Sequence, residues 1–361
     1  MHIAIDARII NSSTGTYVER LLYYLQKIDT TNSYTVLIPT KDRDFWRPTS
    51  PNFSVQCIDI PNYSWKEQTE FKKILDELVP DLVHFCMPQQ PLLYRGQKVT
   101  TVHDLTLLKT YNSDKNWLVF HAKQLIGKAV FWTIGRTNAH IITPSQYTKD
   151  DYIRFARIPS KKVTVTYEAA DVSPGTTVTY EHPFDNYILY VGQQSDYKNI
   201  RRLAEAHQLL LQKKPNLGLI LVGKKNAAIK ANEAYFTKKK YRNIHFTDYI
   251  PNEQRDWLYQ NCSAYIFPSL MEGFGLPGLE AMAYGAPVIS SNATCLPEVY
   301  GDTAMYFDPK NVIKIADTII SVLDDEPLRK NMIKKGYAQV AKYSWKKMAE
   351  ETLAVYQKTN N

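Results

Sequence analysis

Long apolar runs, paired cysteines and an acidic excess are all missing from this sequence. No stretch approaches the roughly 20 uninterrupted apolar residues that a bilayer-spanning helix needs. The opening Met1-His2-Ile3-Ala4-Ile5-Asp6 has the pattern of a strand and not the basic and apolar regions of a secretory signal. A cytoplasmic location is the expectation. Four cysteines, Cys57, Cys86, Cys262 and Cys295, lie far apart with no C-x-x-C spacing. Neither a zinc site nor a disulfide framework is suggested, so they read as reduced packing residues. Acidic residues are outnumbered, 36 against 44 Lys and Arg, and the net charge of +8 favours anionic partners. The 25 tyrosines are scattered and follow no base-stacking motif, so no nucleic-acid partner is expected. Internal repeats and low-complexity tracts are absent as well.

What remains is an ordinary globular composition, 44% hydrophobic and 22% charged over 361 residues, a length suited to two domains. Short β-rich runs alternate with longer mixed segments: Ile3 to Asp6, the run Gly15 to Leu25, then Tyr34 to Ile38, Ser54 to Ile58, Leu82 to Phe85, Lys98 to His103, Ala139 to Thr143 and Val163 to Thr166. Strands separated by helices predict a mostly parallel sheet. The pattern breaks at Val172-Ser173-Pro174-Gly175-Thr176-Thr177 and Glu181-His182-Pro183 and restarts with Tyr187 to Val191, a helix from Arg201 to Lys213, Gly218 to Val222, Ile244 to Thr247, a helix over Glu253 to Gln260, Ala264 to Phe267, a helix containing Glu280, and Val288 to Ser290. The expected division is a first domain over 1–172, a linker over 173–185, a second domain over 186–342 and a C-terminal helix over 343–361, capped by Ser344 and bridging back to the first domain. The fold class is α/β, two doubly wound Rossmann-like domains facing across a cleft, with anion-binding loops at the C-terminal ends of the strands.

The stretch Phe267 to Ala283 carries the chemistry. Gly273, Gly275 and Gly278 spell G-x-G-x-x-G, the formal dinucleotide fingerprint, but five residues from Pro268 to Glu272 separate it from its strand. The next strand ends in Ser290-Ser291-Asn292, without an acid for a ribose. Gly218 to Lys225 satisfies G-x-x-x-x-G-K, yet Lys225 stands where Ser or Thr must hold magnesium, and Leu219 to Val222 reads as a buried strand. A different reading fits: Glu272 and Glu280 stand seven residues apart, with glycines opening the loop between them and Glu280 expected in the first turn of the following helix. Glu272 then suits sugar hydroxyls, Gly273, Phe274 and Gly275 bring backbone N–H groups close to the same ring, and Glu280 suits a ribose. The helix N-terminus near Leu276 would face a diphosphate. The alternative is a Glu280 that only complements its helix dipole and a solvated Glu272.

This chain resembles family-four glycosyltransferases, the retaining nucleotide-sugar enzymes of GT-B architecture that include many bacterial mannosyl-, glucosyl- and N-acetylhexosaminyltransferases. The resemblance runs through Ile5-Asp6-Ala7-Arg8, Val102-His103-Asp104-Leu105-Thr106, Ile142-Thr143-Pro144-Ser145, Tyr190-Val191-Gly192, the Glu-seven-Glu segment, Leu296-Pro297-Glu298-Val299 and Phe307-Asp308-Pro309. It implies a sugar-contacting Glu272, a ribose-binding Glu280, backbone contacts from Gly273 to Leu276, a phosphate-contacting Lys198 and a His103 near the transferred sugar, with Asp104 orienting its loop. An ammonium suits Lys198's task, because charge builds on the leaving diphosphate. Gly192, Gly223, Lys224, Tyr249 and Ile250 are the further donor-side candidates, and Gly15 marks the first βα loop.

Two departures stand out. Gln193 and Tyr197 occupy the positions where the family usually places a second phosphate-clamping arginine, and only Gly15 remains of a usually glycine-richer first loop. The resemblance implies front-face transfer without a general base; no Asp-x-Asp metal signature of the other large glycosyltransferase architecture is expected in the chain, so no metal is expected, and no cofactor, the nucleoside-diphosphate sugar being a substrate. The acceptor is expected to be a glycan or lipid-linked chain in polysaccharide synthesis. The mixed run Lys115 to Arg136, with Trp117, Leu118, Phe120, Ile126, Phe131 and Trp132 beside Lys123 and Lys128, would suit peripheral contact with an anionic membrane or a core-facing helix. A phosphorylase, an epimerase and an inactive nucleotide-sugar-binding protein on the same architecture stay open.

Overall fold

The computed structural model describes residues 1–12, 14–110, 117–171 and 176–360, and of residues 117–120, 122, 123 and 360 only the backbone. Of the break expected at 172–177 and 181–183, residues 172–175 lie outside the described ones, as do the side chains of Lys115, Trp117, Leu118, Phe120 and Lys123. The chain divides into two compact units. Unit 1 comprises Met1–Leu108, His121–Glu168 and Ser344–Asn361, and unit 2 comprises Lys109–Phe120 and Ala169–Tyr343.

Unit 1 is built on seven parallel strands: β1 (His2–Asp6), β2 (Ser33–Ile38), β3 (Phe53–Cys57), β4 (Leu82–Phe85), β5 (Lys98–Thr101), β6 (His140–Thr143) and β7 (Val163–Val165), in the order β3-β2-β1-β4-β5-β6-β7. Strands buried on both faces by flanking helices read as continuous apolar or β-branched runs, which is what Ile3-Ala4-Ile5 and Val36-Leu37-Ile38 show. The helix Gly15–Ile28 buries Tyr17, Val18, Leu21, Leu22 and Leu25, the helical stripe that covers one face of such a sheet. The last helix, Trp345–Asn360, belongs to unit 1 and packs on Gly15–Ile28. Ser344 caps it, its Oγ accepting from the Lys347 N–H at 3.3 Å. Tyr356 anchors the helix: its hydroxyl lies 2.6 Å from Nδ1 of the buried His84, whose Nε2 lies 2.9 Å from Thr101 Oγ1.

Unit 2 repeats the plan with six parallel strands: β8 (Tyr187–Val191), β9 (Gly218–Val222), β10 (Ile244–Phe246), β11 (Ala264–Phe267), β12 (Val288–Ser291) and β13 (Met305–Phe307), ordered β10-β9-β8-β11-β12-β13. Both sheets reverse direction of growth once, between β1 and β4 and between β8 and β11. Loops leaving the C-terminal ends of strands on either side of such a point diverge and open a crevice for a ligand. Gly218 to Val222 is a wholly buried strand, so the G-x-x-x-x-G-K spelling is no phosphate loop.

Three local expectations need correction. The helix expected over Arg201 to Lys213 runs Ile200–Leu210, because Asn199 in the left-handed conformation (φ 63°) breaks the chain immediately before it. β5 stops at Thr101, so His103 stands two residues beyond the strand; the Val102 N–H still bonds Ile142 O at 2.8 Å. Glu280 is not in the first turn of its helix: Gly275 and Pro277 start the helix at Leu276, which places Glu280 fifth, in the second turn.

Candidate active site

In unit 2 the switch point between β8 and β11 gathers most of the expected donor residues. After β8 the chain turns through Gly192 and Gln193 into a short 3-10 turn, Asp196–Lys198. After β11 it runs through Pro268 to Gly275 into the helix Leu276–Ala283. The Leu270 N–H bonds Tyr197 O at 2.8 Å and ties the two loops together. The result is an ion pair: Lys198 Nζ lies 2.6 Å from Glu272 Oε1, with side-chain exposures of 14% and 12%. A solvated Glu272 is thereby excluded. Burial by itself pulls the Lys198 ammonium's pKa down, but Glu272, Tyr197 and Tyr190 together more than offset it, and the net shift is upward. The lysine is locked as a cation. Its ammonium also lies 5.1 Å from the Tyr197 ring centroid, so the residue at one expected arginine position supplies an aromatic face to the cation instead.

Glu272 is held by groups that sequence spacing does not reveal. Its N–H donates to Thr294 Oγ1 at 3.1 Å and its carbonyl accepts from Cys295 Sγ at 3.3 Å, both from the loop after β12. Gly275, at φ 97°, makes the turn into the helix; a Cβ there would lie 2.6 Å from both Leu296 Cδ2 and Tyr300 Oη. The Tyr300 hydroxyl donates to Gly275 O at 2.5 Å and pins the turn. No side chain caps this helix start; Pro277 has no N–H and the Gly278 N–H bonds Gly275 O at 3.1 Å, which leaves the Leu276 N–H and the helix dipole as the features of this terminus that favour a diphosphate.

Glu280, one turn further, lies 3.5 Å from the Tyr259 hydroxyl. Burial raises its pKa, against the lowering effect of Arg255, while Asp256 and Asp171 raise it further. Behind it Arg255 pairs with Asp256 at 2.7 Å, and Asp256 accepts from the Tyr284 hydroxyl at 2.6 Å. This supporting network gave no sequence signal. The loops after β9 and β10 meet alongside: a single Asp248 oxygen accepts the N–H groups of Lys225 (2.6 Å) and Tyr249 (2.8 Å). Gly223 approaches Gly192 so closely that a Cβ would lie 2.6 Å from Gly192 O. Lys224 and Tyr249 are exposed and Ile250 is buried. Gly192, Gln193, Lys198, Gly223, Lys224, Tyr249, Ile250, Glu272 to Leu276 and Glu280 thus sit on five loop or helix segments of one unit, all at the C-terminal end of its sheet.

His103 and Gly15 belong to unit 1. Gly15 opens the helix Gly15–Ile28. The His103 ring is engaged on both sides, Nε2 at 3.0 Å from Cys86 O and Nδ1 at 3.3 Å from Glu168 Oε1, and the Tyr17 ring meets it edge-on at 4.9 Å. Asp104 orients the loop by accepting the Thr106 N–H at 2.8 Å. The expectation of no Asp-x-Asp needs correction: Asp42-Arg43-Asp44 has that form, but Asp42 is buried on Asn11 at 2.9 Å and Asp44 is exposed on Arg47 at 2.5 Å, so the two carboxylates serve different partners.

Residues 15–173 match the family model Glycosyltransferase Family 4, and residues 181–339 match Glycosyl transferases group 1. O-antigen chain mannosyltransferase B of Escherichia coli is 32% identical over 229 residues, which are 60% of this chain and 60% of that protein, so the likeness spans less than two thirds of the relative. Sucrose-phosphate synthase from Thermosynechococcus elongatus superposes with a TM-score of 0.77 at 19% identity, covering 99% of this chain and 98% of that one. Anabaena HepE, solved with UDP and glucose, superposes with a TM-score of 0.72 at 16% identity over 98% and 99%. At such identities the structures establish the fold alone. Two parallel, doubly wound units, two family models that between them take in nearly the whole chain, and the Glu-seven-Glu loop assign this chain to glycosyltransferase family 4, of GT-B architecture.

Proposed function

We propose that this chain transfers a hexosyl group, with retention, from a nucleoside-diphosphate sugar to a glycan or lipid-linked acceptor in polysaccharide synthesis. The observation that carries the reading is the Lys198–Glu272 pair at the uncapped start of Leu276–Ala283, with Glu280 one turn behind. A diphosphate seated on the helix N-terminus takes Lys198 as its counter-charge, the freed Glu272 carboxylate accepts hydrogen bonds from the sugar hydroxyls, and Glu280 accepts those of the ribose. As the glycosidic bond breaks, the negative charge growing on the leaving diphosphate is stabilised by Lys198, the Leu276 N–H and the helix dipole, which are already in place and need no reorganisation. In front-face transfer the departing phosphate oxygen takes the acceptor hydroxyl's proton, so no protein base and no metal is required. The mannosyltransferase relative makes a mannosyl donor the first to try.

An acceptor carried on a membrane fits a feature of unit 1. On the helix Trp117–Thr137, Leu125, Ile126 and Trp132 are exposed, next to exposed Lys128 and Arg136, whose guanidinium lies 3.4 Å over the Trp132 ring. Apolar and cationic groups on one exposed surface suit an anionic lipid face, the inner leaflet of the plasma membrane in a cytoplasmic protein. No helix among the described residues is long and apolar enough to cross a membrane.

The test is calorimetric binding and thermal shift with a panel of nucleoside diphosphates and their sugars, on the wild type and on Glu280→Ala, followed by transfer assays in the presence of a chelator. Selective binding lost in the variant, with chelator-resistant release of nucleotide onto an acceptor, is the expected result. A requirement for free phosphate would make the chain a phosphorylase, and change of the donor without acceptor an epimerase. Binding without turnover would leave a nucleotide-sugar sensor.

A further inference from the structure

The loop after β12 turns on one unfavourable residue. β12 ends at Ser291 and the next helix, Leu296–Tyr300, follows after four residues. The Leu296 N–H bonds Ala293 O at 3.2 Å and closes a four-residue turn. Its central residues have φ 55° at Thr294 and φ −79°, ψ −8° at Cys295, the φ values of a type II′ turn. The first central position of that turn favours glycine, and a β-branched residue is strained there. One other branched side chain among the described residues has a positive φ, Val79, and it closes the C-terminus of Trp65–Leu78, where the left-handed conformation is a common helix ending. Thr294 ends no helix.

What threonine supplies at this position is its hydroxyl. Thr294 Oγ1 accepts the Glu272 N–H at 3.1 Å, and the buried Cys295 thiol donates to Glu272 O at 3.3 Å, so two consecutive turn residues hold both backbone polar groups of Glu272. The turn is itself anchored. Ser291 Oγ donates to Ser269 O at 2.6 Å and accepts the Ala293 N–H at 3.4 Å, and the Asn292 N–H bonds Phe307 O at 3.0 Å. All these groups belong to unit 2. They fix the direction in which the Glu272 side chain leaves the backbone, independently of its ion pair with Lys198. A glycine at 294 would make the turn without strain but offer the Glu272 N–H no oxygen. Strain borne by a side chain whose one hydrogen bond goes to the candidate site points to a role in that site.

We propose that Thr294 is a positioning residue whose hydroxyl, presented by the strained turn, keeps Glu272 directed at the transferred sugar. The inference rests on the transferase reading and deepens it at one step. In the empty site the ion pair with Lys198 places the Glu272 carboxylate. Once a diphosphate takes the Lys198 ammonium that tether is gone, and the backbone bonds from Thr294 and Cys295 are what keep the carboxylate on the sugar hydroxyls. The role therefore belongs to turnover of the sugar and not to capture of the nucleotide, whose diphosphate and ribose fall to other groups.

Three substitutions in the full chain separate the hydroxyl from the backbone. Thr294→Ser keeps the hydroxyl, Thr294→Ala removes it but keeps a Cβ at φ 55°, and Thr294→Gly removes both hydroxyl and strain. With a nucleoside-diphosphate mannose as donor, Thr294→Ala and Thr294→Gly should each lower kcat about tenfold or more, with affinity for the free nucleoside diphosphate within about twofold. Thr294→Ser should stay within about threefold of wild type, and Thr294→Ala should cost nothing further in a Glu272→Gln background. Thr294→Gly should melt no lower than Thr294→Ala, because its backbone is relaxed, yet turn over as slowly; a merely structural threonine would let activity recover with stability. In the ligand-free, nitrogen-15-labelled chain the Glu272 amide should exchange its hydrogen about tenfold faster in Thr294→Ala than in wild type or Thr294→Ser. Wild-type kcat in the two hydroxyl-free variants, a Thr294→Ser loss as deep as that of Thr294→Ala, or unchanged exchange at Glu272 overturns the proposal. A wild type that transfers no sugar would sink the transferase reading, and faster Glu272 exchange in Thr294→Ala would still leave Thr294 as the residue that holds Glu272. If Thr294→Ala does not fold, Thr294→Gly decides.

Discussion

Removing both members of the Lys198–Glu272 pair should destabilise the ligand-free protein by clearly less than the sum of the two single removals. At 2.6 Å and an effective dielectric constant near 20, the attraction is about 6 kcal/mol before desolvation is counted. With side-chain exposures of 14% and 12%, desolvation cancels much of that gain, so the intact pair adds little net stability. A lone buried charge keeps the penalty without the attraction. Lys198→Met should therefore cost about 3 kcal/mol. Glu272→Gln, which strands the ammonium but leaves a carbonyl oxygen within its reach, should cost somewhat less. For a unit in the 150–250-residue class, 3 kcal/mol corresponds to a fall in Tm of about 6–12 °C. The double variant should recover about 2 kcal/mol of the summed losses, a coupling well outside the roughly 0.5 kcal/mol scatter of independent sites. Urea denaturation followed by fluorescence measures all four corners of the cycle. Turnover should behave oppositely: each single variant loses about 100-fold or more in kcat and the double variant is not rescued, because each group has its own substrate partner. Additive stability losses would refute the claim that the two residues neutralise each other in the empty site. Recovery of turnover in the double variant would refute their separate roles.

Other outcomes follow from the same geometry. Because burial raises the Glu280 pKa, and only the ionised carboxylate accepts from both ribose hydroxyls, nucleotide affinity should begin to fall at a pH above the ordinary carboxylate range as pH is lowered; calorimetry from pH 8 to 5 should show this slope in the wild type and not in Glu280→Gln. Gly275→Ala forces a side chain into φ 97° and within 2.6 Å of Leu296 and Tyr300, and should cost about 1–3 kcal/mol together with a raised donor KM; an unchanged KM would count against the turn as a diphosphate seat. The buried His84 has a folded pKa of about 3, below its unfolded value near 6.5, so its contribution to stability is complete above pH 6.5 and drains away as pH falls towards 3. Thermal scans over that window should show a shallower decline in a folded His84→Gln variant. Co-sedimentation with anionic vesicles at low salt should be reduced by Trp132→Ser with Ile126→Ser, and absence of binding in the wild type would remove the membrane from the proposal.

The sequence by itself determined the alternation of strands and helices, because runs such as Ile3 to Asp6 and Gly218 to Val222, buried on both faces, are apolar whatever their neighbours do. It also determined the loop chemistry of Glu272 to Glu280, since glycines and carboxylates at fixed spacing are local properties. Boundaries were less legible. Thr101 and Val102 have the same strand preference, and the strand ends at Thr101 because its pairing with Ile142 is the last on β6, the Val102 N–H making the final bond to Ile142 O. The short strand β13 and the helices Ala227–Lys238 and Glu326–Val340 have weak local patterns and were hard to read, whereas Val312–Leu323, which buries Ile315, Ala316, Ile319 and Val322 at helical spacing, carries a stripe that is legible in the sequence and was passed over. Which groups meet was a tertiary decision throughout. Lys198 and Glu272 are 74 residues apart, His103 and Glu168 are 65 apart, and Thr294 closes on the Glu272 backbone across 22. No periodicity encodes such pairs. They form because parallel strands deliver all their loops to one end of the sheet, and burial there leaves a charged or hydrogen-bonding group no stable state except beside a partner.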